Sequence, residues 1–257
     1  MSIVLPTAKV NAATKSPKNL IIFSKPKVGK TSLLAELPNC LILDLESGSD
    51  YVDAMKLKAT TVTEIREIGK AIIDAGRPYD YIAVDTITAL ETMCVKEAEK
   101  LYMKTPMGKA RWIKKNEDGT IDPTSDKLSY GTILNLPNGQ GYGYLRDAIT
   151  KVIEEIKTYA PRVILLGHVK DAMIETKGVE VNSMDLDLTG KIKRIISSQS
   201  DAIGYLYRKG NQNVLTFKTK DDVACGARPI HLRNQDIIVS EMNDEGLVTH
   251  WNKVYID

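Results

Sequence analysis

The sequence predicts an α/β fold, a mostly parallel central sheet with helices on both faces and an antiparallel hairpin near the C-terminus. Three observations predict it. Four short runs, Leu20 to Ser24, Cys40 to Glu46, Tyr79 to Asp85 and Arg162 to Gly167, are almost wholly apolar, as strands buried on both faces are. Segments with helical spacing of apolar residues separate them. After the fourth run the pattern changes to AIGYLYR and NVLTFKT around Lys-Gly-Asn-Gln, which reads as a hairpin.

The elements follow in order. Residues 1–19 are polar and irregular and form a separate N-terminal segment, leaving 20–257 as one domain. Leu20 to Ser24 is the first strand, and Thr31 to Leu37 the helix after it. Cys40 to Glu46 is the second strand. Thr61 followed by Glu64 has capping-box spacing and opens a helix with Ile65, Ile68, Ile72 and Ile73 on one face, ending near Gly76 and Pro78. Tyr79 to Asp85 is the third strand. Ile87, Leu90, Cys94, Ala98 and Leu101 repeat at helical spacing. Leu145, Ala148, Ile149, Val152, Ile153 and Ile156 do the same ahead of the fourth strand. Residues 169–189 read as a loop and Lys191 to Ser197 as a short helix. The stretches 103–142 and 169–189 are long and irregular, a length that in compact domains points to function.

Composition sets bounds. The chain has 257 residues, 43% hydrophobic and 26% charged, with a net charge of +2, so bulk charge draws it to neither nucleic acid nor membrane. Cys40, Cys94 and Cys225 are odd in number and far apart, with no C-x-x-C spacing, which argues against a zinc site or a disulfide framework. No stretch reads as a signal or a membrane span, and a cytoplasmic location is expected, the host cytoplasm if the protein is phage-encoded.

The chemistry centres on FSKPKVGKTSLLAEL. Its frame, Ser24, Lys25, Pro26, Lys27, Val28, Gly29, Lys30, Thr31 and Ser32, follows the phosphate-loop spacing with serine in place of the first glycine. Such a loop points successive backbone N–H groups at phosphate oxygens. Lys30 is expected to reach the β- and γ-phosphates of ATP, and Thr31 to offer its hydroxyl to Mg²⁺. Serine is small enough for the turn at the strand exit. Asp85 is the second metal-site candidate, acting through water. Glu46, which ends the second strand, is the candidate for orienting the attacking water, with Asp44 deeper on the same side and Glu91 a rival on the helix after Asp85. His168 ends the fourth strand at the same edge and could sense the γ-phosphate and pass its presence to the loop that follows.

GKT, DLE, VDT and HVK together resemble the RecA-type ATPase core, and within it the phage nucleotide-binding or Sak-type single-strand annealing proteins, over about residues 18 to 230. The resemblance implies an Mg²⁺-dependent ATPase stimulated by single-stranded DNA, acting in phage-type recombination or replication by annealing or strand pairing. It implies that the strand ending at His168 lies between those ending at Ser24 and Asp85. It implies a homo-oligomer, ring or filament, whose neighbouring copies complete each site with basic residues, here Lys218, Lys220 and Arg228. A single-strand-binding protein is a further partner, and no membrane is involved. Leu5-Pro-Thr-Ala8 is similar to a docking segment of recombinases, so residues 1–19 could serve as an oligomerisation arm. Of the two loops that would bind DNA, the first carries Lys109, Arg111, Trp112, Lys114 and Lys115, cations beside an aromatic ring. The second carries Asp171, Glu175, Glu180, Asp185 and Asp187 against Lys170 and Lys177, which departs from the pattern. The alternative is a regulatory or assembly ATPase that switches protein partners without touching DNA. A small-molecule kinase is disfavoured, because no arginine-rich lid is present.

Overall fold

The computed structural model describes residues 5, 7–9, 11–12, 14–111, 131–176, 179–219, 223–244 and 246–256. The chain alternates as expected through β1 (Asn19–Ser24), α1 (Lys30–Ala35), β2 (Cys40–Asp44), β3 (Lys56–Lys58), α2 (Val62–Asp74), β4 (Tyr81–Asp85), α3 (Ile87–Met103) and α4 (Pro106–Arg111). It continues with α5 (Gln140–Ile156), β5 (Arg162–Thr176), β6 (Val179–Leu186), α6 (Gly190–Gln199), β7 (Ala202–Lys209) and β8 (Gln212–Thr216). The two-residue β9 (Gly226–Ala227), then β10 (Asp236–Asn243) and β11 (Gly246–Thr249), complete the strands.

The sheet order is β11-β10-β8-β7-β1-β5-β4-β2-β3, with β6 on β5 and β9 on β7. Strands β7, β1, β5, β4, β2 and β3 are parallel to their neighbours in that run, and the hairpin side is antiparallel. Strand β5 lies between β1 and β4, with Ser24 opposite His168 and Asp85 opposite Leu166. Period-two alternation splits β1 between two cores. Ile21 and Phe23 pack with residues of α2, α3, α5 and α6, whereas Leu20 and Ile22 pack with α1 and the chain's last turn. Trp251 anchors that turn, its indole N–H donating to the Leu33 carbonyl at 2.9 Å.

The capping box at α2 is present in both halves. Ile73, assigned to the apolar face of that helix, is 38% exposed and sits at the rim. Three expectations need correction. Residues 169–189 are not a loop: β5 runs on past His168 to Thr176 and pairs residue for residue with β6, Val169 opposite Leu186 through Thr176 opposite Val179. A two-stranded ribbon beyond the sheet has little core to cover, so its sequence lacks the apolar alternation that marks a strand. The expected antiparallel hairpin is present as β7–β8, and β10 and β11 extend it beyond β8. Residues 79 and 80 precede β4, and β2 stops at Asp44, so Glu46 lies two residues past the strand rather than in it.

The N-terminal segment is bonded to the domain at Ser16, Lys18 and Asn19. Ser16 is buried and its Oγ accepts from Ile256 N at 2.9 Å, while the N–H groups of Lys18 and Asn19 donate to Asp201 Oδ2, each at 3.0 Å.

Candidate nucleotide site at the carboxyl edge of the sheet

The parallel strands β1, β4 and β2 bring Ser24, Asp85 and Asp44 to one edge, the edge at which open α/β sheets bind ligands. Gly29 holds φ +103 and Lys27 φ 62, so the loop between β1 and α1 turns through the left-handed region twice. A Cβ at Gly29 would have nothing nearer than Asn213 Nδ2 at 3.7 Å, so glycine there answers to backbone angle rather than to space.

Ser24 is fully buried, and the substitution for glycine gives it a task. Its Oγ accepts from the Lys30 ammonium at 3.0 Å and donates to the Lys25 carbonyl at 2.8 Å. Burial pulls the Lys30 pKa down, against the carboxylates of Asp85 and Glu46, which hold it up. Thr31 Oγ1 donates to Asp85 Oδ2 at 2.6 Å. Burial raises the Asp85 pKa, and the Thr31 hydrogen bond opposes this. A hydroxyl and a carboxylate that close fit a hard divalent cation held by Thr31 directly and by Asp85 through water. Among the described residues no group of three or more His, Cys, Asp or Glu could hold a metal alone, so such a cation would need oxygens from the nucleotide itself.

Glu46 stands beside these groups. The Thr86 hydroxyl donates to its Oε1, and His168 Nε2 lies 3.2 Å from both its carboxylate oxygens. An ionised Glu46 therefore holds the His168 proton on Nε2, leaving buried Nδ1 without a partner among the described residues. Thr86 also caps α3, accepting from Ala89 N at 3.3 Å, and the Asp85–Thr86 peptide is cis. Glu46 remains half-exposed, open to water.

Asp44 has a different task from the one its strand position suggested. It is buried, and it accepts from the N–H groups of Glu46, Gly48 and Ser49 at 3.2, 3.3 and 3.2 Å and from the Ser49 hydroxyl at 2.5 Å. It folds the turn that presents Glu46. Burial works to raise its pKa, but these hydrogen bonds together hold it below the usual carboxylate value. Asp44→Ala should cost about 1–3 kcal/mol for the buried donors it strands, read by urea unfolding. Because the folded pKa is the lower one, the carboxylate's contribution is complete above about pH 4 and is lost as the pH falls through the folded value.

Other candidates are not brought here. Glu91 is buried on α3 and turned away, with both oxygens accepting from Thr189 N at 3.2 and 3.3 Å. Strand β8 stops at Thr216, so Lys218 lies beyond the strand. Lys218 is paired with Asp236 at 2.5 Å, and Lys220 lies outside the described residues. Arg228 follows β9 at the opposite, amino edge, bonded to Asp201 Oδ1 at 3.4 Å and to the Ser198 carbonyl at 2.6 Å. Lys109 is exposed on α4, Arg111 ends that helix, and Trp112, Lys114 and Lys115 lie outside the described residues. Sequence reasoning missed Arg208, whose Nη2 at the end of β7 leans on the phosphate loop, 3.4 Å from the Val28 carbonyl. Its only sequence signal was its place in the hairpin strand.

The AAA domain family matches residues 16–228, which takes in the loop, the Asp85 strand and the β7–β8 hairpin. The chain belongs to this family. No curated protein matches it. Among solved structures the RadB recombinase is similar at TM-score 0.44 and 10% identity, with 90% of each chain covered, a likeness too distant to assign anything further. As an AAA-domain protein with this loop and sheet, it is an α/β P-loop nucleotide-binding ATPase. Among the described residues no helix is long and apolar enough to cross a membrane.

Proposed function

We propose that the protein is an Mg²⁺-dependent ATPase that assembles with copies of itself and acts on single-stranded DNA, in annealing or strand pairing of the phage recombination or replication type. In the ATPase half, Lys30 leaves Ser24 to meet the β- and γ-phosphates, and Thr31 with Asp85 holds the metal. Mg²⁺, when bound, neutralises charge building on the phosphate oxygens. Glu46 orients the attacking water and takes its proton, and His168 fixes the Glu46 carboxylate. Lys218, Lys220 and Arg228 stay in this reading as candidates for a neighbouring copy's site, for which Lys218 would leave Asp236 and Arg228 its bonds to Asp201 and Ser198. Chromatographic size with and without ATP checks the assembly.

One observation carries the DNA half. The amino termini of α5 and α6 border a single cavity of about 500 Å³, lined by Gly139, Tyr142, Gly143, Arg146, Gly190 and Lys191. Tyr142 is 45% exposed, and Lys191 has no carboxylate partner among the described residues. Glycines at helix starts admit a phosphate to backbone N–H groups, Lys191 adds charge beside Arg146, which is paired with Asp147 at 3.4 Å, and an open tyrosine ring offers a face for a base. The expected result is that Arg146→Ala with Lys191→Ala weakens binding of labelled oligo-dT and flattens its salt dependence. Tyr142→Ala should weaken it by about 1–3 kcal/mol at any salt. Changing Lys109, Arg111, Lys114 and Lys115 to alanine, or Trp112 alone, tests the other loop in the same assay. No oligo-dT binding by the wild type at low salt, with or without ATP, would sink the DNA half.

The acidic ribbon favours a second reading, a nucleotide-driven switch for protein partners. Asp185 and Asp187 are matched by Lys193 and Lys170, so the base of the ribbon presents no surplus positive charge to a phosphate backbone. ATP turnover indifferent to single-stranded DNA at two salt concentrations would support that reading.

A further inference from the structure

A short segment, Asp187 to Thr189, connects the ribbon to α6, and among its bonds three tie it to His168 and to α3. Asp187 N donates to the His168 carbonyl at 2.9 Å, the Thr88 hydroxyl donates to the Asp187 carbonyl at 3.2 Å, and Thr189 N donates to both oxygens of Glu91. The first bond comes from a residue whose ring touches Glu46. The other two come from α3, whose cap Thr86 also touches Glu46. Both routes thus start at one carboxylate beside Lys30; the His168 route ends at Asp187, and the α3 route ends at Asp187 and, through Glu91, at Thr189, the residue preceding α6.

Glu91 is an unusual way to hold that end. Thr189 is the cap residue of α6, yet its side chain makes no capping bond, and the helix has no acidic residue in its first turn. A carboxylate buried in another helix fixes the backbone there instead. Burial raises the Glu91 pKa, an energetic cost that an exposed loop serine would avoid if the segment needed only a cap. The first turn of α6 supplies Gly190, Lys191 and Ile192 to the cavity it shares with α5.

From this geometry we infer that Glu91 is a positioning residue, which ties the amino terminus of α6 to the nucleotide site so that α6 responds when the site fills. A γ-phosphate entering beside Lys30 repels the Glu46 carboxylate, the bonds of Glu46 to Thr86 and His168 readjust, and both ends of the Asp187–Thr189 segment are pulled together. What α6 then does to a ligand rests on the single-stranded DNA reading. The coupling itself does not.

Amide hydrogen exchange at Gly190, Lys191 and Ile192, with and without a non-hydrolysable ATP analogue and Mg²⁺, reads the coupling directly. In the wild type the nucleotide should change protection there by about tenfold, within the usual span of site-to-site coupling. Glu91→Ala should bind the analogue with wild-type affinity and lose that response. Glu91→Gln keeps an oxygen acceptor for Thr189 N and should retain it, which separates positioning from mere loss of stability. An undiminished response in Glu91→Ala, or none in the wild type, overturns the inference. Oligo-dT affinity measured on the same proteins separates the two claims. A Glu91-dependent exchange response without DNA binding would leave the coupling standing and remove DNA as its purpose.

Discussion

Lys30→Ala is expected to abolish nucleotide binding, with no measurable heat on titrating ATP and Mg²⁺ into a protein that still unfolds cooperatively. The ammonium is buried, donates to the Ser24 hydroxyl and sits in the field of the Asp85 and Glu46 carboxylates, so it is held in place before phosphate arrives. When phosphate replaces Ser24 as its partner, a neutral hydrogen bond becomes a charge-assisted one at an already desolvated site. Truncating one member of such a pair costs about 2–5 kcal/mol, a loss of tens- to thousands-fold in Kd. The companion variant Ser24→Gly restores the usual glycine and removes the resting partner of Lys30. It should bind ATP within a few-fold of wild type, roughly 1 kcal/mol, because the hydroxyl serves the lysine only until phosphate arrives. Wild-type affinity in Lys30→Ala would show that the loop does not hold the phosphates.

Glu46→Gln should bind ATP normally and hydrolyse it roughly 10²–10⁴-fold more slowly in a single turnover, the range for losing a placed general base. The site explains why glutamine is the informative change. Its carbonyl can still accept from the Thr86 hydroxyl, so the turn built on Asp44 keeps its shape, but an amide cannot take a proton from water. Asp85→Ala should differ in kind. It removes the partner of Thr31, so metal-dependent binding and turnover should fall together. Glu91→Gln should leave the chemical step near wild type, because its carboxylate faces Thr189 and not the site. Wild-type turnover in Glu46→Gln alongside a dead Glu91→Gln would reverse the assignment of the two glutamates.

The sheet and the phosphate loop were legible because each obeys a local rule. A strand buried on both faces must be apolar at successive positions, and β1, β2, β4 and the first part of β5 are. The loop must have glycine where φ is positive before the lysine, and Gly29 stands there. Helices α2, α3 and α5 each bury one stripe, so the periodicity of Ile65, Leu90 and Leu145 was sufficient to place them. The ribbon of β5 and β6 was not legible, since its strands satisfy each other's backbone without a core to mark one face. The last turn, with Trp251 donating into α1, was missed because its partner lies 218 positions away.

By itself, then, the sequence determined the α/β class, the order of the central elements and the residues at the phosphate loop, since periodicity, strand burial and loop geometry are enforced over a few neighbouring positions. Only the tertiary structure decided which polar side chains share a site. It put Glu46 against His168 and Thr86, assigned Asp44 to the turn and Glu91 to Thr189, and committed Lys218 to Asp236. Any of these carboxylates could have faced the nucleotide as far as local sequence goes. A charged group's partner is set by which strand ends and helix starts converge, and that depends on strand order, a property of contacts between residues remote in the chain.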